Sequence, residues 1–151
     1  MSTRKSTKTI EMREKEIIAE FVSFPDVDTK YMHLFQLGEH LPKMSANHKT
    51  KANLVKGCQS LLWFHFYTCE GRVYLEADSD SLVIKGIAAI LVQLLTGLPP
   101  KEVETINMDF LDRLDIWKLA STRNTGLMAM LDHIKQKAHE MDKSLSNNEE
   151  S

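Results

Sequence analysis

The stretch "SLLWFHFYTCEGRVYLEADSDSLVIKGIAAILVQLLTG", residues 60–97, decides the fold. Ser60 to Thr68 is rich in bulky and aromatic residues, and Arg72 to Asp78 alternates, with Val73, Leu75 and Ala77 opposed to Tyr74 and Glu76. A short turn around Glu70-Gly71 joins the two runs as a hairpin. "DSDS", residues 78–81, then offers N-cap oxygens to a helix over Leu82 to Thr96, and Gly97 with Pro99-Pro100 stops it. That helix is apolar nearly all round, which predicts that it is the central one.

Helices are predicted on both sides of this block. Ile10, Ile17, Ile18 and Phe21 space a helix that must end before Pro25. A second helix, capped by Asp26 or Asp28, carries Tyr31, Leu34, Phe35 and Leu41 and ends at Pro42, and the two are expected to form an antiparallel pair. "KMSANHKTKANLVKG", residues 43–57, is polar and without period and reads as a loop. After short helical pieces from Pro99 or Pro100 through Ala120, a last helix from about Thr125 carries Leu127, Leu131, Ile134, Ala138 and Met141. The result is an α+β domain: a small antiparallel sheet with helices packed on it. Its span is residues 9–141, between disordered ends at 1–8 and 142–151.

Composition narrows the function. A chain of 151 residues with 42% hydrophobic content builds one core. A formal charge of −2 carries no basic surplus for a nucleic acid. The longest apolar stretch, Leu82 to Leu95, is interrupted by Lys85 and Gln93 and is too short to span a bilayer. Two cysteines and no secretory signal indicate a reducing compartment, expected to be the cytoplasm; the basic start "MSTRKSTKT" lacks the amphipathic pattern of a transit peptide.

Of the two cysteines, Cys58 follows Gly57 at the junction between the polar loop and the first strand. Free cysteine is often simply a small buried hydrophobe. Here the neighbouring glycine and loop favour presentation of the thiol. If residues 56–58 are extended, Lys56 projects to the same side and favours the thiolate. No signature of a cysteine hydrolase accompanies it, whereas attack on a sulfur that carries its own leaving thiol needs no local base. Cys69, at the far end of the strand, would lie roughly 35 Å away at ~3.3 Å per residue and is read as peripheral. The six histidines include pairs seven apart (His33, His40) and six apart (His133, His139), neither the spacing that grips zinc. His65 shares a strand face with Trp63 and Tyr67 and reads as packed rather than ligating. Asp78 and Asp80 are explained first by helix capping.

"LVKGCQSLLW", "ADSDSLVIKGIAAILV" and "FLDRLDIWKLASTRNTGLMAML", with "KYMHLFQLGEHLP" upstream, resemble the SufE family of cysteine desulfuration proteins from about Ile17 to Lys137. The resemblance implies the SufE/IscU-like fold and a sulfur carrier. Cys58 would accept persulfide sulfur from a SufS-type cysteine desulfurase, stimulate that enzyme, and deliver sulfur to a SufB-containing scaffold for iron–sulfur clusters. Arg123 would sit near the cysteine loop and help docking, Asp80 would influence the loop's mobility, and Gly57, Gln59 and Trp63 would shape it. The implied protein is an accessory sulfurtransferase without independent turnover, a monomer or weak homodimer. It would hold no metal or cofactor of its own, pyridoxal phosphate belonging to the partner. Ser121-Thr122-Arg123 departs from the proline frequent in the family before its serine–arginine pair, and Asp115 stands where glycine is frequent. The related CsdE branch serves a different desulfurase. The alternative is an IscU-like scaffold on which the cluster itself is built, which would need several ligands converging on iron.

Overall fold

The computed structural model describes residues 8–58, 60–116 and 126–150. Its elements are α1 (Ile10–Val22), α2 (Val27–Glu39), β1 (Leu62–Cys69), β2 (Arg72–Ser79), α3 (Leu82–Leu95), α4 (Pro100–Val103), α5 (Met108–Arg113) and α6 (Gly126–Glu150), with a single 3-10 turn at Ala46–His48. Helices packed on a two-stranded antiparallel sheet make the expected α+β architecture.

Local chemistry sets the element ends. Thr9, Asp26 and Ser81 have extended backbones, and their side chains accept the N–H groups of Met12, Thr29 and Ile84, so each helix starts with one orphan donor satisfied. Leu62, Phe64, Val73, Leu75 and Ala77 point inward and are buried. The other face pairs Trp63 with Asp78, His65 with Glu76 and Tyr67 with Tyr74. Both outer edges of the hairpin are partly covered: Leu54 bridges to Trp63 and Leu98 to Val73. Such covering removes the unpaired edge that invites aggregation.

α3 is the hub, with Ile87, Ile90, Leu91, Leu94 and Leu95 fully buried. α2 lies along it so closely that a Cβ on Gly86 would come within 2.5 Å of the Leu34 carbonyl oxygen. The pairing expected between α1 and α2 is replaced by packing of both onto α3. Direct contact between the two remains at their junction, where Phe21 and Phe24 hold the His33 ring. The mostly apolar α3 offers more surface to bury than either amphipathic neighbour. Buried Arg13 of α1 donates to the carbonyls of Leu94 and Thr96 at the end of α3, and α2 reaches α5 through Lys30 to the Leu114 carbonyl and the Tyr31 hydroxyl to that of Ile116.

The loop expected over residues 43–57 is present, as a strap in which Met44 and Val55 are buried and the 3-10 turn lies over the outer face of the hairpin. One sequence expectation is revised. α6 continues to Glu150, so most of the expected disordered stretch 142–151 is helical. Half-buried Met141 and Leu145, one turn apart, carry its apolar stripe past the predicted end.

Candidate functional site

A short ladder closes a loop around Cys58. The Val55 N–H donates to the Leu62 carbonyl at 2.8 Å and the Phe64 N–H to the Asn53 carbonyl at 2.9 Å. The chain therefore leaves and re-enters the sheet at one place, and residues 56–61 form an excursion anchored at its root.

Gly57 at φ +89° turns the chain there, and a Cβ on it would lie 3.2 Å from the Ala129 Cβ of α6. Glycine is required both by the left-handed backbone and by the close approach of a helix. The same turn breaks the extended run assumed for residues 56–58, so strand alternation does not bring Lys56 to the side of Cys58. Cys58 is a free, half-buried thiol packed against the edge of the core.

The downstream end is held by Asp80, whose Oδ1 accepts the Leu61 N–H at 2.9 Å. The Asp80 N–H donates to the Leu61 carbonyl, and the Ser79 hydroxyl donates to the same oxygen at 2.6 Å. The structure thus brings Gly57, Cys58 and Asp80 to one loop. Gln59 and Arg123 lie outside the described residues. Asp115 has φ +54°, a region that aspartate enters more readily than most side chains.

A groove of about 430 Å³ runs between the strap and α6, lined by Lys51, Lys56, Ala129, His133, Lys137 and Glu140 among others. The spacing of residues gave no sign of it, because strap and helix meet only through the fold. The His133 ring faces Phe64 and Phe66, and its Nε2 is buried without a hydrogen-bond partner among the described residues. Burial, reinforced by Lys137 and opposed by Glu140, lowers its pKa and favours the neutral imidazole. His139 instead contacts Glu104 at 3.0 Å, so the two histidines of α6 serve different surroundings. Three exposed apolar side chains stand on segments that touch the loop: Leu61 within it, Leu82 just beyond Asp80, and Met128 next to Ala129.

On the outer face, Asp78 meets Lys49 at 2.8 Å and Lys85 at 3.4 Å, and Lys49 also stands 5.1 Å above the Trp63 ring. Burial raises the Asp78 pKa, but the two ammonium groups and the Ser79 N–H outweigh it and hold the carboxyl below its ordinary value. Trp63 is thereby fixed under the strap. Among the described residues, His48, His65 and Glu76 are a group able to converge on a metal ion, and Cys58 is not part of it.

The described chain has no helix long and apolar enough to cross a membrane. In overall fold it is similar to a hypothetical protein from Thermus thermophilus solved in solution, with a TM-score of 0.70 over 85% of this chain and 95% of that one at 19% identity. In sequence it is 39% identical over 126 residues to the SufE-like protein 1, chloroplastic/mitochondrial, of Arabidopsis thaliana; the match covers 82% of this chain but only 34% of that protein. The family model SufE, described as an Fe-S metabolism associated domain, matches residues 15–138, the segment that contains the Cys58 loop, Asp80 and the helices that frame them, and the chain therefore belongs to the SufE family.

Proposed function

We propose that the protein is a sulfur acceptor and carrier that takes persulfide sulfur from a SufS-type cysteine desulfurase onto Cys58 and passes it to a SufB-containing scaffold. The supporting observation is the placement of one free thiol in a loop pinned at both ends, on a chain of a family associated with Fe–S metabolism. The Cys58 thiolate attacks the outer sulfur of the desulfurase persulfide. The sulfur–sulfur bond of that persulfide breaks, the desulfurase cysteine leaves as a thiolate, and Cys58 becomes the persulfide. The exchange is a transfer of one sulfur atom without net oxidation and needs access more than a base.

Half-burial of the resting thiol fits a group that must be kept from oxidants until a partner docks. Leu61, Leu82 and Met128 supply exposed apolar surface near the loop for that docking. In this reading Gly57 and Gln59 shape the loop, Asp80 restrains it and Arg123 contacts the partner. The protein acts as a monomer or weak homodimer with no turnover of its own. The cytoplasm is the proposed compartment, although the Arabidopsis relative is named for chloroplast and mitochondrion.

The test is desulfurase turnover, measured as alanine and sulfide release from cysteine with and without the protein. Stimulation lost in Cys58→Ser supports the carrier; equal rates with wild type and Cys58→Ser would oppose it.

A further inference from the structure

On the outer face of the hairpin, away from the inward-facing core residues, His65 of β1 is the direct register partner of Glu76 of β2. The strap lays His48 across them. The His48 and His65 rings stack 3.8 Å apart at 13°, and His48 Nδ1 lies 2.7 Å from Glu76 Oε1. Donor atoms from all three side chains fall within 4.8 Å of one another. Asn53 ties the group together, its Nδ2 donating to the His48 carbonyl at 2.7 Å and standing 3.4 Å from His65 Nδ1.

We propose that His48, His65 and Glu76 form a binding site for one divalent transition-metal ion of the zinc class, separate from Cys58. Two imidazoles and a carboxylate are a donor set that zinc and its neighbours accept and that calcium or magnesium, which prefer all-oxygen sites, do not. Three protein ligands leave a fourth position for water. The side chains are half buried, so an ion can reach them from solvent while the sheet limits how far two of the ligands can move.

The two rings now stack nearly parallel, so their in-plane lone pairs do not converge on one point and one ring must turn to close on an ion. His48 is the one able to turn, because it sits on an isolated 3-10 turn whereas His65 is held in a strand. On binding, the contact between His48 and Glu76 is exchanged for bonds from each to the metal, and any proton held between them goes to solvent. Sequence spacing could not show this set, since its members come from a strap and two strands.

Its location gives the site a structural consequence. Asn53, whose side chain contacts both histidines, also receives the Phe64 N–H at the root of the Cys58 loop. A bound ion would pin residues 46–53 to the hairpin and hold the strap that enters the loop.

The test titrates the full chain with Zn²⁺ against a chromogenic chelator and with Co²⁺ for its visible spectrum, in wild type and in a Cys58→Ser/Cys69→Ser background. One ion per chain, retained without thiols and giving cobalt bands with no sulfur charge-transfer band, is expected. His48→Ala and Glu76→Gln should each weaken binding by at least about tenfold, with calcium unable to compete. His48→Gln repeats the first test should the alanine variant fold poorly by circular dichroism, and zinc should raise the melting temperature of wild type but not of the variants. Binding that disappears with the thiols, or that is as tight in a His48→Ala/Glu76→Gln double variant as in wild type, would overturn the proposal.

Discussion

At the scale of single residues, Asp80 shows how a side chain first read as a helix cap acquires a second role. Ser81 is the actual N-cap of α3, and the Asp80 carboxylate is free to hold the Leu61 N–H instead. Asp80→Ala should leave the fold intact at a cost of about 1 kcal/mol and raise the alkylation rate of Cys58 by a few-fold. An unchanged rate in a folded variant would show that this hydrogen bond does not restrain the loop. His133 makes a separate prediction. Its pKa is lowered in the folded state by burial, so the unfolded chain binds the proton more readily. The neutral ring's contribution to stability is present above the unfolded value near 6.5 and is lost as pH falls through the lower folded value. Denaturant midpoints measured between roughly pH 7 and pH 5 should therefore fall less steeply for His133→Gln than for wild type; identical slopes would contradict the assignment.

At the scale of elements, the close crossing of α2 on α3 makes Gly86 the position least able to accept a side chain. A methyl there meets the Leu34 carbonyl oxygen at 2.5 Å as well as the Leu34 Cγ at 2.6 Å, so moving the side chain alone does not relieve it. Gly86→Ala should destabilise the protein by about 1–3 kcal/mol, despite alanine's better helix propensity, as read by chemical denaturation. A neutral or stabilising result would mean that α2 shifts freely. This crossing was illegible in the sequence, where Gly86 is merely a weak point in an apolar helix. The hairpin, the α3 caps and the register face of Val73, Leu75 and Ala77 were legible because period, turn residues and cap oxygens are local signals. The strap over Trp63 and His65 was not, because the polar and charged residues of 43–57 are held by long-range partners: Lys49 by Asp78, His48 by Glu76. The end of α6 was missed for a related reason, the polar composition after Met141 concealing half-buried Leu145, which continues the stripe by one turn.

At the scale of the whole molecule, the hairpin, α3 and α6 serve as a rigid frame for one mobile task. The strap enters the loop beside β1, Gly57 rests on α6, and Asp80 at the mouth of α3 receives the chain as it returns. The place of Cys58 between the polar loop and the first strand was legible from Gly57 and the polar run before it, whereas its half-burial and the anchoring of its loop at three points depend on elements distant in sequence. The frame predicts that docking, and not thiol chemistry alone, controls exposure: Cys58 should be alkylated faster in the presence of a desulfurase whose own reactive cysteine has been replaced by serine than in its absence. Equal rates would remove gating from the account while leaving transfer untouched. The most direct test of the transfer itself is peptide mass spectrometry after incubation with a SufS-type desulfurase and cysteine. The account predicts a single added sulfur atom on the Cys58 peptide, removed by reductant and missing in Cys58→Ser; an unmodified Cys58 alongside a turning-over desulfurase that binds the protein would contradict it.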